Sequence, residues 1–138
     1  MKKNNIEFNS IYSFLLIDKD QTSLFVNELT FNKYLDNSVE FFKFNNPETA
    51  FDFLKTCHHE VIIIVEPFNL FGSFEQFFKE YQQLKRKDHL FILSASIDKN
   101  DKECALSYDF VEGFLEKPLT KKQIMEMVLT IDNFKNNK

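Results

Sequence analysis

The run Val61-Ile62-Ile63-Ile64-Val65-Glu66-Pro67 constrains this chain more than any other stretch. Five β-branched residues in succession carry neither a helical stripe nor polar alternation, so they read as a strand buried on both faces. A strand of that kind needs cover above and below, which makes it the central strand of an α/β sheet. It stops abruptly at a carboxylate and a proline. Chemistry in such sheets sits beyond the carboxyl ends of the strands, and Glu66 falls there.

The rest of the chain repeats the alternation. Ser13-Phe14-Leu15-Leu16-Ile17 reads as a first strand that delivers Asp18-Lys19-Asp20 to its carboxyl end. A helix over 21–34 follows, with Phe25, Val26 and Leu29 at helical spacing as its apolar face. A second strand covers 38–44, and Asn46-Pro47 then gives the cap-and-proline signature of a helix that buries Phe51 and Leu54 and ends near Thr56. After the central strand a loop over 67–72 leads to Ser73-Phe74-Glu75-Gln76, a capping-box spacing. The helix it opens carries Phe74, Phe77, Phe78, Tyr81 and Leu84 on one face, a core stripe. Lys85-Arg86-Lys87 in its last turn suits the negative end of the helix dipole. His89 to Ser94 is a fourth apolar strand that ends in a hydroxyl. Asn100 and Glu103 repeat the capping-box spacing before a short helix with Cys104, Leu106 and Tyr108. Gly113-Phe114-Leu115-Glu116 is a brief fifth strand halted by Lys117-Pro118, and Thr120 with Gln123 opens a last helix whose Ile124, Val128 and Ile131 share a face. Five such alternations demand a parallel sheet with helices on both faces.

Composition removes several classes of function. The 138 residues suit one domain spanning 1–138, with 1–11 as a loose leading segment. Two glycines leave no glycine-rich phosphate loop and speak against a flavin-binding relative of the same architecture, while 18 phenylalanines supply bulky core filling. A net charge of −4 gives no general attraction for nucleic acid. No run of about 18 apolar residues is present, so no membrane span is expected. Cys57 and Cys104 read as reduced thiols of a cytoplasmic protein. Cys57-His58-His59-Glu60 lacks the spacing of a closed zinc site, because adjacent histidines before a strand point to opposite sides.

At the carboxyl edge the pattern brings together Asp18, Lys19, Asp20, Glu66, Ser94 and Lys117. With Leu93-Ser94-Ala95 and Gly113-Phe114-Leu115-Glu116-Lys117-Pro118, the chain resembles the receiver domain of bacterial response regulators from Phe14 to about Phe134. The resemblance implies a flavodoxin-like, doubly wound five-stranded sheet of order 2-1-3-4-5, and a place in two-component phosphorelay signalling. It also implies a cis Lys117–Pro118 bond that aims the lysine at a phosphate. Receivers of this kind hold Mg²⁺ on an acidic pair of the first strand and phosphorylate an aspartate on the third, and a hydroxyl and a lysine then read the phosphate. Output by resemblance runs through the surface over 100–134, with Phe114 and Tyr108 as its switch and partner residues. The partner would be a histidine kinase, a phosphotransfer protein or a downstream signalling protein, and a homodimer stays open.

The sequence departs from that pattern where the chemistry is. The acidic pair reads Asp18-Lys19, and the acceptor position is held by Glu66, or by Val65 if the register shifts by one. Asp18 and Glu66 facing Lys19 and Lys117 would cancel the negative charge that a divalent ion needs, leaving Asp18 and Asp20 as poor metal candidates. The expectation is therefore a degenerate, non-enzymatic pseudo-receiver that binds no cofactor and signals through protein contacts. The alternative is a working Mg²⁺-dependent phosphoacceptor with substituted ligands.

Overall fold

The computed structural model describes residues 13–35, 39–67, 73–95 and 99–136. The expected loose segment, Ser38 and most of the loop over 67–72 lie outside them. Strands and helices alternate: β1 (Ser13–Asp18), α1 (Gln21–Tyr34), β2 (Glu40–Phe44), α2 (Pro47–Thr56), β3 (Val61–Glu66), α3 (Ser73–Leu84), β4 (His89–Ser94), α4 (Lys99–Leu106), β5 (Val111–Glu116) and α5 (Lys121–Asn136). The strands form one parallel sheet in the order β2-β1-β3-β4-β5. This is the doubly wound arrangement expected from the alternation.

Residue parity along the strands explains the two cores. Phe14, Leu16, Ile62, Ile64, Phe91 and Leu93 point to one face and pack under Leu24 and Phe31 of α1 and Ile124, Val128 and Ile131 of α5. Leu15, Ile17, Ile63, Val65, Leu90 and Ile92 point to the other, under Ala50 and Leu54 of α2 and the aromatic row of α3. Residues 61–65 of β3 are all buried, the double burial that an unbroken β-branched run requires. The expected α3 stripe is core as well, with Phe74, Phe77, Phe78 and Tyr81 each exposed by no more than 3%. Asn46 caps α2 by accepting from the Thr49 N–H at 2.9 Å, with Pro47 next to it.

Four local expectations need correction. The buried side of α1 is Leu24, Asn27 and Phe31, whereas Phe25, Val26 and Leu29 are exposed by 59%, 49% and 52%. The helix has two apolar sides, and the sheet takes the one that reaches Phe14 and Phe41, where the Phe31 ring lies 4.8 Å from that of Phe14. α3 ends at Leu84, so the basic run lies beyond it: Lys85 takes a left-handed conformation (φ 53°) and Arg86 turns inward. α4 closes before Tyr108 and leaves Leu106 exposed, and β5 begins two residues early, at Val111.

Candidate functional site

The register of β1 on β3 pairs Ile17 with Val65 and Asp18 with Glu66. Val65 is fully buried in the core under α2 and α3, so the residue that reaches the strand end is Glu66. In this strand order the chain leaves β1 and β3 toward opposite faces, and ligands of open α/β sheets bind at that divide. A cavity of about 570 Å³ opens there, lined by Asp18, Lys19, Asp20, Ser23, Glu66, Pro67, Ser94, Ala95 and Lys117. All six carboxyl-edge residues named from the sequence thus meet in one place.

Lys117 is the hub. Its Nζ forms an ion pair with Glu66 Oε1, lies 3.8 Å from Asp18 Oδ2, and donates to Ser23 Oγ at 2.8 Å. The Lys117–Pro118 peptide is cis, and the Lys117 N–H donates to the Ser94 carbonyl at 3.1 Å, fastening the end of β5 to β4. Ser23 was not singled out in the sequence. Its signal was its place in the first turn of α1, three residues after Asp20, where a helix following β1 faces the same edge.

The carboxylates are not equivalent. Asp18 is buried, and its Oδ1 accepts from the Asp20 N–H at 2.9 Å. Asp20 is exposed and caps α1, accepting from the Thr22 N–H at 2.9 Å. Asp18 Oδ2 and Glu66 Oε2 remain buried without a hydrogen-bond partner. Burial chiefly, reinforced by the Asp18 carboxylate, pushes the Glu66 carboxyl up to about 7, against the opposing pull of Lys117.

Phe114 is half-buried against the aromatic core, with the Lys102 ammonium 5.6 Å from its ring centroid. Tyr108 packs against Phe78 and Phe110 with tilted rings, its centroid 5.4 Å from each of theirs. At the opposite edge of the sheet, Cys57 Sγ lies 3.6 and 3.9 Å from the two ring nitrogens of His59. Near-equal distances put the sulfur beside the ring, off the axis along which either nitrogen would hold a metal. Among the described residues no group of three or more His, Cys, Asp or Glu side chains is placed to hold a metal ion, and no helix is long and apolar enough to cross a membrane.

No protein-family model and no curated protein matches the chain. Solved structures do. The signal receiver domain of an HD-domain-containing protein from Pseudomonas fluorescens superposes with a TM-score of 0.75 at 11% identity, over 94% of this chain and all of that one (100%). A CheY-like receiver domain from Methanospirillum hungatei gives 0.73 at 9% identity, over 94% and 100%. A response regulator receiver protein from Dyadobacter fermentans gives 0.69 at 23% identity, over 85% and 94%. The fold is that of a receiver domain. Its strand order, its cis lysine–proline bond and its carboxyl-edge cavity are those that the sequence resemblance implied.

Proposed function

We propose that this chain is a single receiver-like signalling domain that acts by binding other proteins and does not use aspartyl phosphorylation as its switch. The observation that carries this reading is the ion pair between Lys117 and Glu66 where β1 meets β3. A phosphoryl acceptor must offer a free carboxylate oxygen in line with the leaving group. Glu66 is a methylene longer than aspartate, spends one oxygen on Lys117, and is partly protonated near neutral pH. Its carboxylate stands toward Lys117 where a phosphoryl group would, and so imitates part of that state with less charge and fewer oxygens.

The donor set does not fit Mg²⁺, which takes near-octahedral oxygen coordination from carboxylates, waters and substrate. Asp20 is committed to its helix cap, and Asp18 Oδ2 is already ion-paired with the Lys117 ammonium at 3.8 Å. At about 4 Å and an effective dielectric near 20, that ammonium opposes a cation by about 4 kcal/mol per unit charge. Output then falls to the surface of α4, β5 and α5, with Phe114 and Tyr108 beneath it. The partner there is a histidine kinase, a phosphotransfer protein or a downstream signalling protein.

A second reading rests on the two orphaned oxygens, Asp18 Oδ2 and Glu66 Oε2, which an incoming ligand would satisfy. In it the domain is still phosphorylated, with Asp20 swinging in to complete the site. Incubation with Mg²⁺ and acetyl phosphate followed by intact-mass measurement separates the two. No gain of a phosphoryl group is expected. A stable gain that disappears in Asp20→Ala would replace the first reading with the second.

A further inference from the structure

We propose that the groove between α2 and α3 docks a basic segment of a partner protein, which inserts one arginine or lysine side chain over the ring of Phe51. The groove lies on the sheet face opposite α1 and α5 and encloses about 250 Å³, room for one long side chain but not for a helix. Its floor is Phe51 and Phe77, edge to face with centroids 6.4 Å apart. Its rim carries the carboxylates of Glu48, Asp52 and Glu80 against the single ammonium of Lys55. Aromatic floor and acidic rim together select a cation that has an apolar stem.

The chain itself demonstrates the recognition. Lys55 Nζ lies 5.4 Å from the Phe51 centroid and 3.2 Å from Asp52 Oδ1, so ring and carboxylate already hold an ammonium between them. That lysine is half exposed, and it can swing away at small cost. The Gln76 side-chain amide donates to Glu80 Oε1 at 2.9 Å and keeps the opposite rim in place. A guanidinium is the better guest, because its flat face stacks on a ring while its edge pairs with a carboxylate. None of these residues belongs to the carboxyl-edge cavity, so the site stands whether or not that cavity binds phosphate.

The test is an NMR titration of the full isotope-labelled chain at low salt with a short glycine–serine peptide bearing one central arginine. A matched peptide with glutamine at that position is the control. The arginine peptide should shift the backbone amides of α2 and α3 around Phe51 and Phe77, and the glutamine peptide should not. Phe51→Leu should weaken binding about 2- to 5-fold and Lys55→Ala should tighten it by a similar factor, the size of an exposed cation–π contact. Equal shifts from the two peptides, shifts confined to other parts of the chain, or unchanged binding in both variants would overturn the proposal. Melting curves of the two variants establish that each is folded.

Discussion

Glu66→Gln should change how stability depends on pH, and the direction follows from the site. The Glu66 carboxyl has an ordinary value of 4.5 and is raised to about 7 in the folded chain, by burial first and the Asp18 carboxylate second. Between those values the folded protein keeps a proton that the unfolded chain has released, so unfolding free energy falls as pH rises through the window. The stability tied to the protonated carboxyl is complete below about pH 4.5 and lost by just above pH 7. Full linkage at 1.36 kcal/mol per pKa unit gives a ceiling on the order of 3 kcal/mol. Glu66 shares its titration with Asp18 and Lys117 and opens on a wet cavity, so about 1–2 kcal/mol is the working figure. Glutamine has the same shape and cannot ionise, so it removes the slope. Urea unfolding of parent and variant at a series of pH values, with a common m-value, reads the difference directly. The variant should gain on the parent as pH rises from about 5 to about 8 and then hold level. A pH-independent difference, or a variant that loses ground as pH rises, would mean that the Lys117 ion pair outweighs burial, and the reasoning would fail.

Two further predictions concern the far edge of the sheet. Lys85 follows α3 with φ 53°, a conformation that glycine adopts without strain, so Lys85→Gly should stabilise the fold by about 1 kcal/mol and Lys85→Val should destabilise it; denaturant midpoints check both signs. Arg86 pairs with the fully buried Asp88 side chain and donates to the Leu54, Cys57 and His59 carbonyls. Arg86→Ala should therefore cost about 3–5 kcal/mol by leaving a buried charge uncompensated, and an unfolding midpoint close to that of the parent would refute it.

What the sequence made legible was whatever depends on one residue type repeated. The β-branched run of β3 and the aromatic row of α3 admit one burial pattern each, and both are buried as expected. The α1 error shows the limit. Leu24 and Phe31 compete with Phe25, Val26 and Leu29 for the core, and periodicity alone does not say which side meets the sheet; contact with Phe14 decides it. Arg86 was hidden for a different reason. In a basic run it looks like dipole complement, and only the fold brings Asp88, Tyr81 and three carbonyls around it. The carboxyl edge was legible as a set of residues because strand ends converge whatever the details. The division of labour within it was not. Asp20 as a cap and Ser23 as a partner of Lys117 both depend on how α1 leaves β1.

Asp88 before β4 and the Asp18–Glu66 pair at the carboxyl end of the sheet differ in how completely their carboxylates are satisfied. Both oxygens of Asp88 are engaged, by the Val61 N–H, the Tyr81 hydroxyl and the Arg86 guanidinium. A cluster that serves only the fold tends toward this state, since each buried unpaired polar atom costs about 1–3 kcal/mol. Asp18 and Glu66 face each other at the other end, where Asp18 Oδ2 and Glu66 Oε2 make no hydrogen bond, beside a cavity of about 570 Å³ and a lysine ion-paired with both residues. Glutamine at either position, or an apolar pair, would lift that cost. Glu112 Oε2 and Asp132 Oδ1 are buried without a hydrogen-bond partner as well, so an orphaned oxygen alone does not mark a site; what sets Asp18 and Glu66 apart is that they line the cavity at the divide of the sheet and share one lysine.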